Sequence, residues 1–221
     1  MPTGNPLSVL TKLVGCLWLG TILFEKTAMS ELFPIPDSEQ AAPSATTWQR
    51  SRLILVAALV LVLDQLSKYA VEAAVPLYQT WVPIPSLEPI FRITHATNTG
   101  AAFGMFPDGN LIFALAAVLI GAAILYYNYI LPGGIWLLRL ALGLQLGGAL
   151  GNLFDRLRQG HVTDFVDMGS LWPFIFNVAD LAIVSGVVLL GWLLLQEQLQ
   201  AYRVRQTATP PAEANPADEN S

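Results

Sequence analysis

Charged side chains are scarce in this sequence: Asp, Glu, Lys and Arg make up 12% of its 221 residues, while 54% are hydrophobic. A soluble domain carries roughly twice that charged fraction. The scarcity, with a positive mean hydropathy, excludes an ordinary water-soluble fold. Cysteine is nearly absent too. The lone Cys16 excludes an intrachain disulfide and any multi-cysteine metal site. The two histidines, His95 and His161, lack ligand spacing and read as loop residues, so neither a metal nor another cofactor is expected. Basic residues are also few: 11 against 16 acidic ones give a net charge of -5, part of it in the tail at Glu213, Asp218 and Glu219. That balance gives nucleic-acid binding no footing.

Long apolar runs are what the chain has instead. A spanning helix needs about 20 mostly apolar residues. Four segments qualify, at about residues 53–75, 110–131, 135–154 and 174–195. None alternates apolar and polar residues over roughly ten positions, as strands of a membrane barrel do. The expected fold is an all-α membrane protein, a four-helix bundle. Basic residues flanking the spans set orientation. Arg50 and Arg52 precede the first span and Arg203 and Arg205 follow the fourth, which puts both termini in the cytoplasm. Arg156 and Arg158 lie on the opposite side, against that rule.

The outer loop at about residues 76–109 is partly structured: "FRITHATN" alternates at its start as a strand does, and "VPIPSLEPI" is broken by prolines. The second outer segment, about 155–173, is short and acidic. Residues 1–50 are an extension. Its apolar stretch, about 13–24, is short for a span, and "LVGC" at 13–16 precedes the apolar run, unlike a signal-peptide lipidation box. We expect a membrane-surface or disordered extension there, a linker at 38–47, and a disordered cytoplasmic tail at 198–221. Trp81, Trp136 and Trp172 read as interface anchors, and Arg139 as a side chain that snorkels to the headgroups.

The informative residues are polar ones where hydrocarbon should be. A charge at mid-bilayer costs about 2.5–3.5 kcal/mol on insertion scales, so such groups face a partner or a wet cavity. Asp180 lies about six residues inside the fourth span, roughly 9 Å from its outer end, with Asn177 on the same helical face. Alone, it could serve packing. Upstream, "VTDFVDM" supplies Asp164 or Asp167 at the same outer face, and periodicity does not choose between them. Two carboxylates sharing a site hold one proton between them, which suits activating water and protonating a departing amine. Asp64 and Lys68 in "DQLSK" are four apart and can pair along one face, or Asp64 can meet a headgroup. Asp155 and Arg156 in "GNLFDR" read as a helix-end ion pair or a loop anchor. "NTGAAFG" suggests close backbone approach or a tight turn, with Asn98 offering donor and acceptor.

Taken in order, "DQLSK" (64–68), "NTGAAFG" (98–104), "GGALGNLFDR" (147–156), "VTDF" (162–165) and "FNVAD" (176–180) resemble the lipoprotein signal peptidase, or signal peptidase II, family over about residues 51–197. The resemblance implies a four-helix aspartyl endopeptidase of the bacterial inner membrane, with a small extracytoplasmic β-cradle between spans one and two. It implies cleavage of diacylglyceryl-modified prolipoproteins on the N-terminal side of the lipidated cysteine, near the outer face, without a cofactor. The catalytic aspartates would be Asp164 and Asp180, and the supporting residues Asp64, Lys68, Asn98, Gly100, Asn152, Asp155, Arg156 and Asn177. Membrane lipids and prolipoproteins are the expected partners, and the protein is expected to act as a monomer. A proton-coupled transporter would favour internal repeats, which are absent. A presenilin-type protease would carry "GxGD", also absent around both aspartates.

Overall fold

The computed structural model describes residues 44–100 and 109–207, with side chains as far as Arg203. The expectations for residues 1–43, for 101–104 of the "NTGAAFG" block and for the tail beyond 207 lie outside the described residues.

Four helices carry the chain: α1 (Thr47–Ala74), α2 (Asn110–Ile130), α3 (Trp136–Gln159) and α4 (Val178–Thr207). Each is long and apolar enough to cross a bilayer, and each coincides with an expected span. Helix α1 starts earlier than expected, inside the supposed linker, because Thr46 caps it. The Thr46 hydroxyl accepts the Gln49 N–H at 3.3 Å and Gln49 Oε1 accepts the Thr46 N–H at 2.9 Å, a reciprocal capping box. Helix α4 continues to Thr207, through the first part of the stretch expected to be a disordered tail.

Helices α2 and α4 leave large apolar side chains exposed, among them Leu111, Leu119, Val184 and Val188. In water such a surface would invite association; in a bilayer it is the lipid contact. The chain is a multi-pass membrane protein. Helix α3 is the most buried of the four and packs against the other three. Lipid tails are as apolar as leucine, so close packing of small residues, not hydrophobic exclusion, must bring membrane helices together. A Cβ at Gly147 would stand 2.7 Å from the Ala57 carbonyl oxygen, and one at Gly148 would run into the Ala179 carbonyl oxygen. Glycine therefore lets α3 touch α1 on one side and α4 on the other. Leu53, Ala57, Ile124 and Leu146 fill the core where α1, α2 and α3 meet.

The end of the bundle holding the α4 N-terminus carries a four-stranded antiparallel sheet: β1 (Thr80–Trp81), β2 (Arg92–Asn98), β3 (Val162–Asp167) and β4 (Ile175–Phe176), in that order. The "FRITHATN" strand is β2. The sheet is not confined to the α1–α2 connection, because β3 and β4 come from the segment between α3 and α4. Strand β3 escaped notice because Val162, Thr163, Asp164 and Phe165 are all buried, which erases the alternation of a half-solvated strand. Phe165 packs with Val71 and Val75 of the α1 terminus, seating the sheet on the helices.

One sequence expectation fails at the other end of the bundle. Arg139 does not snorkel outward; it is 1% exposed. Its guanidinium donates to Asn128 Oδ1 at 3.2 Å and to the Leu131 and Pro132 carbonyls at 2.9 and 3.0 Å. Those carbonyls close α2, where the orphan acceptors of a helix end attract a cation.

Candidate active site

The α4 N-terminus explains why a carboxylate stands inside an apolar span. Asn177 is the residue before the helix, and its Oδ1 accepts the Asp180 N–H at 2.9 Å. Asp180 Oδ2 in turn accepts the Asn177 N–H at 3.3 Å. This is a capping box with Asn and Asp in the two roles, in the turn where the helix dipole favours negative charge. Asp180 Oδ1 accepts a further hydrogen bond from Asn152 Nδ2 of α3 at 2.7 Å.

Asp164 reaches the same place from the sheet. It lies opposite Ala96 in the β2–β3 ladder, where a bulge between Ile93 and Ala96 resets the register. Such bulges re-aim side chains. Here the shift puts Asn98 on the diagonal, and its Nδ2 donates to Asp164 Oδ2 at 3.0 Å. Asn98 Oδ1 accepts the Gly100 N–H at 3.0 Å. Asn177 Nδ2 donates to Asp164 Oδ1 at 2.6 Å, so one asparagine holds both aspartates. Asp164 is only 3% exposed. Burial first, and then the neighbouring Asp180 charge, push its carboxyl from 3.8 up to about 7. The Asn98 and Asn177 hydrogen bonds and the Lys68 charge pull the other way and are outweighed.

Asp167, the sequence rival of Asp164, has a different environment. Arg92 Nε lies 2.7 Å from its Oδ2, the Thr94 hydroxyl 2.8 Å, and the Gly169 N–H 2.8 Å from its Oδ1. Burial alone would raise this carboxyl, but the Arg92, Gly169 and Thr94 bonds outweigh it and hold the group below its ordinary value. Asp167 ties β2 to β3 and does not line the cavity.

Behind the two aspartates lies a dry ionic cluster. Lys68 Nζ sits 2.8 Å from Asp64 Oδ2, 2.7 Å from Asp155 Oδ2 and 3.1 Å from Asn152 Oδ1. Asp64, Lys68 and Asp155 are each at most 1% exposed. Asp64 Oδ1 accepts the Ala179 N–H at 2.9 Å, so the cluster also satisfies a free donor of the α4 first turn. The expected Asp155–Arg156 ion pair does not form, since adjacent helix residues point apart. Asp155 turns inward to Lys68. Arg156 turns to the cavity, donating to the Gly100 carbonyl at 3.1 Å and lying 5.6 Å from the Phe113 ring centre.

Two further residues were not singled out from the sequence. Gln65 Nε2 bridges Asp64 Oδ2 at 3.1 Å and Asp155 Oδ1 at 2.9 Å. Glu72 accepts the Thr163 hydroxyl at 2.7 Å and an Arg158 N–H at 2.9 Å, fixing β3 beside Asp164. Helical spacing held the signal, because Gln65 and Glu72 stand three before and four after Lys68 on one face of α1. His95, expected in a loop, is a buried β2 residue whose Nδ1 lies 2.8 Å from the Val75 carbonyl. Among the described residues, no group of three His, Cys, Asp or Glu is placed to hold a metal.

Both aspartates line one cavity of about 450 Å³. Asn98, Asn152 and Arg156 share its polar side; Trp172, Phe174, Leu181 and Val184 contribute apolar wall. Two carboxylates over one space, one keeping its proton to about pH 7, can accept a proton from water and return one to a leaving group.

Known proteins are similar to this chain in sequence and in fold. The family model described as signal peptidase (SPase) II matches residues 56–196. The lipoprotein signal peptidase of Moorella thermoacetica is 46% identical over 142 residues, covering 64% of this chain and 91% of the relative. That of Pseudomonas aeruginosa is 43% identical over 156 residues, covering 67% and 90%. A bacterial membrane enzyme solved by the in meso method at 2.3 Å resolution superimposes with a TM-score of 0.63 at 29% identity, covering 71% of this chain and 93% of that one. With the matched region spanning α1 to α4 and every residue of the site, the chain belongs to the signal peptidase II family of membrane proteases.

Proposed function

We propose that the protein removes signal peptides from diacylglyceryl-modified prolipoproteins, cutting on the N-terminal side of the lipidated cysteine with Asp164 and Asp180 as the catalytic pair. Membership of the family supports the substrate class. The observation that carries the chemistry is Asn177, which holds both carboxylates over one cavity. Asp164 keeps its proton up to about 7, so Asp180 is the partner that takes a proton from water as the water attacks the scissile carbonyl. Asp164 donates to the carbonyl oxygen as it becomes tetrahedral. Collapse returns that proton to Asp164 and delivers the one on Asp180 to the leaving amine. Arg156 and Asn98 orient the peptide, and Asn152 and Asn177 fix the pair.

The site lies near the outer face of the bacterial cytoplasmic membrane, with both termini in the cytoplasm. Arg50 and Arg52 lie in the first two turns of α1, at the bundle end opposite the sheet, as the charge rule for cytoplasmic ends requires. The two arginines that break the rule have other work. Arg156 faces the cavity and Arg158 pairs with Glu72. A substrate anchored by acyl chains in the outer leaflet then presents its scissile bond at the depth of Asp180.

Purified protein in detergent, given a lipidated prolipoprotein peptide and its unlipidated counterpart, should cleave only the first. Equal cleavage of both would sink the substrate assignment. Cleavage retained by Asp164→Asn or Asp180→Asn would sink the catalytic pair.

A further inference from the structure

The ionic cluster behind the site ends on an amide that itself touches Asp180. An ammonium only donates and a carboxylate accepts, so the two ends of an amide between them are distinguished by their partners. Asn152 is such an amide, with Oδ1 3.1 Å from Lys68 Nζ and Nδ2 2.7 Å from Asp180 Oδ1. Asn177 Nδ2 adds a second donor to Asn152 Oδ1 at 3.2 Å. Lys68 has three N–H groups and three acceptors, Asp64, Asp155 and Asn152. The two acids fix the ammonium from either side, and its remaining N–H points at Asn152.

We propose that Lys68 is a positioning residue for the peptidase, acting on Asp180 through Asn152. It locks the Asn152 amide with its oxygen inward, so that its N–H₂ faces Asp180 and holds that carboxylate toward the cavity. Without the ammonium, Asn152 Oδ1 keeps only the longer bond from Asn177 Nδ2 at 3.2 Å, so the amide is held less firmly and Asp180 loses a fixed donor. The charged groups that surround Asp180 are Asp64 and Lys68 from α1, Asp155 and Arg156 from α3, and Asp164 from β3. Of these, Lys68 alone touches the amide that donates to Asp180. The role differs from charge balance, in which Lys68 would merely neutralise the two buried acids. The inference rests on the proposed catalytic pair.

Two variants separate orientation from charge balance. Lys68→Met leaves two carboxylates buried and uncompensated, which destabilises the fold. The triple variant Asp64→Asn, Lys68→Met, Asp155→Asn removes all three charges and keeps the volume filled, so it keeps the experiment decisive where the single variant does not fold. Steady-state cleavage of a lipidated peptide by the triple variant should show kcat lower by on the order of tenfold or more, with KM close to wild type, as expected for a misplaced catalytic group. Adding Asn152→Leu to the triple variant should lower kcat little further, because the amide has already lost its fixed orientation. Wild-type kcat in the triple variant would overturn the proposal, as would full additivity with Asn152→Leu. Asp180→Asn, assayed alongside, keeps the two readings apart. Cleavage by that variant would end the catalytic-pair reading itself, whereas its inactivity beside a fully active triple variant would end only the role given to Lys68.

Discussion

Replacing Gly148 with alanine tests whether the site depends on how closely α3 approaches α4. A Cβ at this position would collide with the Ala179 carbonyl oxygen and stand 2.7 Å from Ile183 Cγ1. The first contact is backbone in the opening turn of α4, so no rotamer change relieves it. Comfortable separation of non-bonded heavy atoms is about 3.5 Å, so the turn must retreat by about 1 Å. Overpacking of this kind destabilises by about 1–3 kcal/mol. Asp180 follows Ala179 directly, and a misplacement of about 1 Å lowers rate by about a hundredfold. Gly191→Ala is the control: nothing lies within 4 Å of its Cβ, and losing a helical glycine gains up to about 1 kcal/mol. Melting in detergent and cleavage of a lipidated peptide, measured side by side, should show Gly148→Ala less stable and strongly impaired in kcat, with Gly191→Ala unimpaired. Wild-type kcat in folded Gly148→Ala would refute the claim that this contact sets the position of Asp180.

Three other outcomes are expected. The Asp164 carboxyl is raised from 3.8 to about 7 in the folded protein, so its contribution to stability is full below the lower value and is lost as pH rises through the upper one. Thermal midpoints should therefore fall across that window by less in Asp164→Asn than in wild type, and equal falls would contradict the shift. Asp167→Asn should keep kcat within about twofold but lose about 1–3 kcal/mol of stability. Because its folded carboxyl is held below 3.8, the wild-type advantage should be present above that pH and vanish as pH falls below it, as melting curves would show. Arg139→Met removes hydrogen bonds to Asn128, Leu131 and Pro132, and should lower stability by about 2–4 kcal/mol while the activity of the folded fraction is unchanged.

The four spans were legible because a bilayer demands length and apolarity, both visible in a single sequence. The catalytic candidates were legible as exceptions to that demand. Strand β3 was not, because a strand buried on both faces loses its period, and the choice between Asp164 and Asp167 came from family resemblance, not from spacing. The structure supplies the physical distinction: three donors, one of them Arg92, hold Asp167, while Asp164 receives two amides and the charge of Asp180. Arg139 was misread because a span-end arginine has two solutions, headgroups or helix carbonyls. Only the geometry of the α2–α3 turn decides which is nearer.

The polar residues of the bundle are better understood as one connected structure than as a site plus scattered supports. Asp64 accepts from Ala179, Asn152 donates to Asp180, and Asn177 bonds both aspartates and Asn152. Asp64, Asn152, Asp164, Asn177 and Asp180 are each held by another polar group, which is the condition for leaving them in an apolar interior. The first turn of α4 is consequently fixed by side chains of α1, α3 and β3 at once. A membrane protease that works as proposed above needs one carboxylate on a helix that lipid cannot pull out of place and a second fixed beside it. Capping α4 with Asn177, which also holds Asp164, and anchoring that turn to a dry ionic cluster meets both needs with the same few residues.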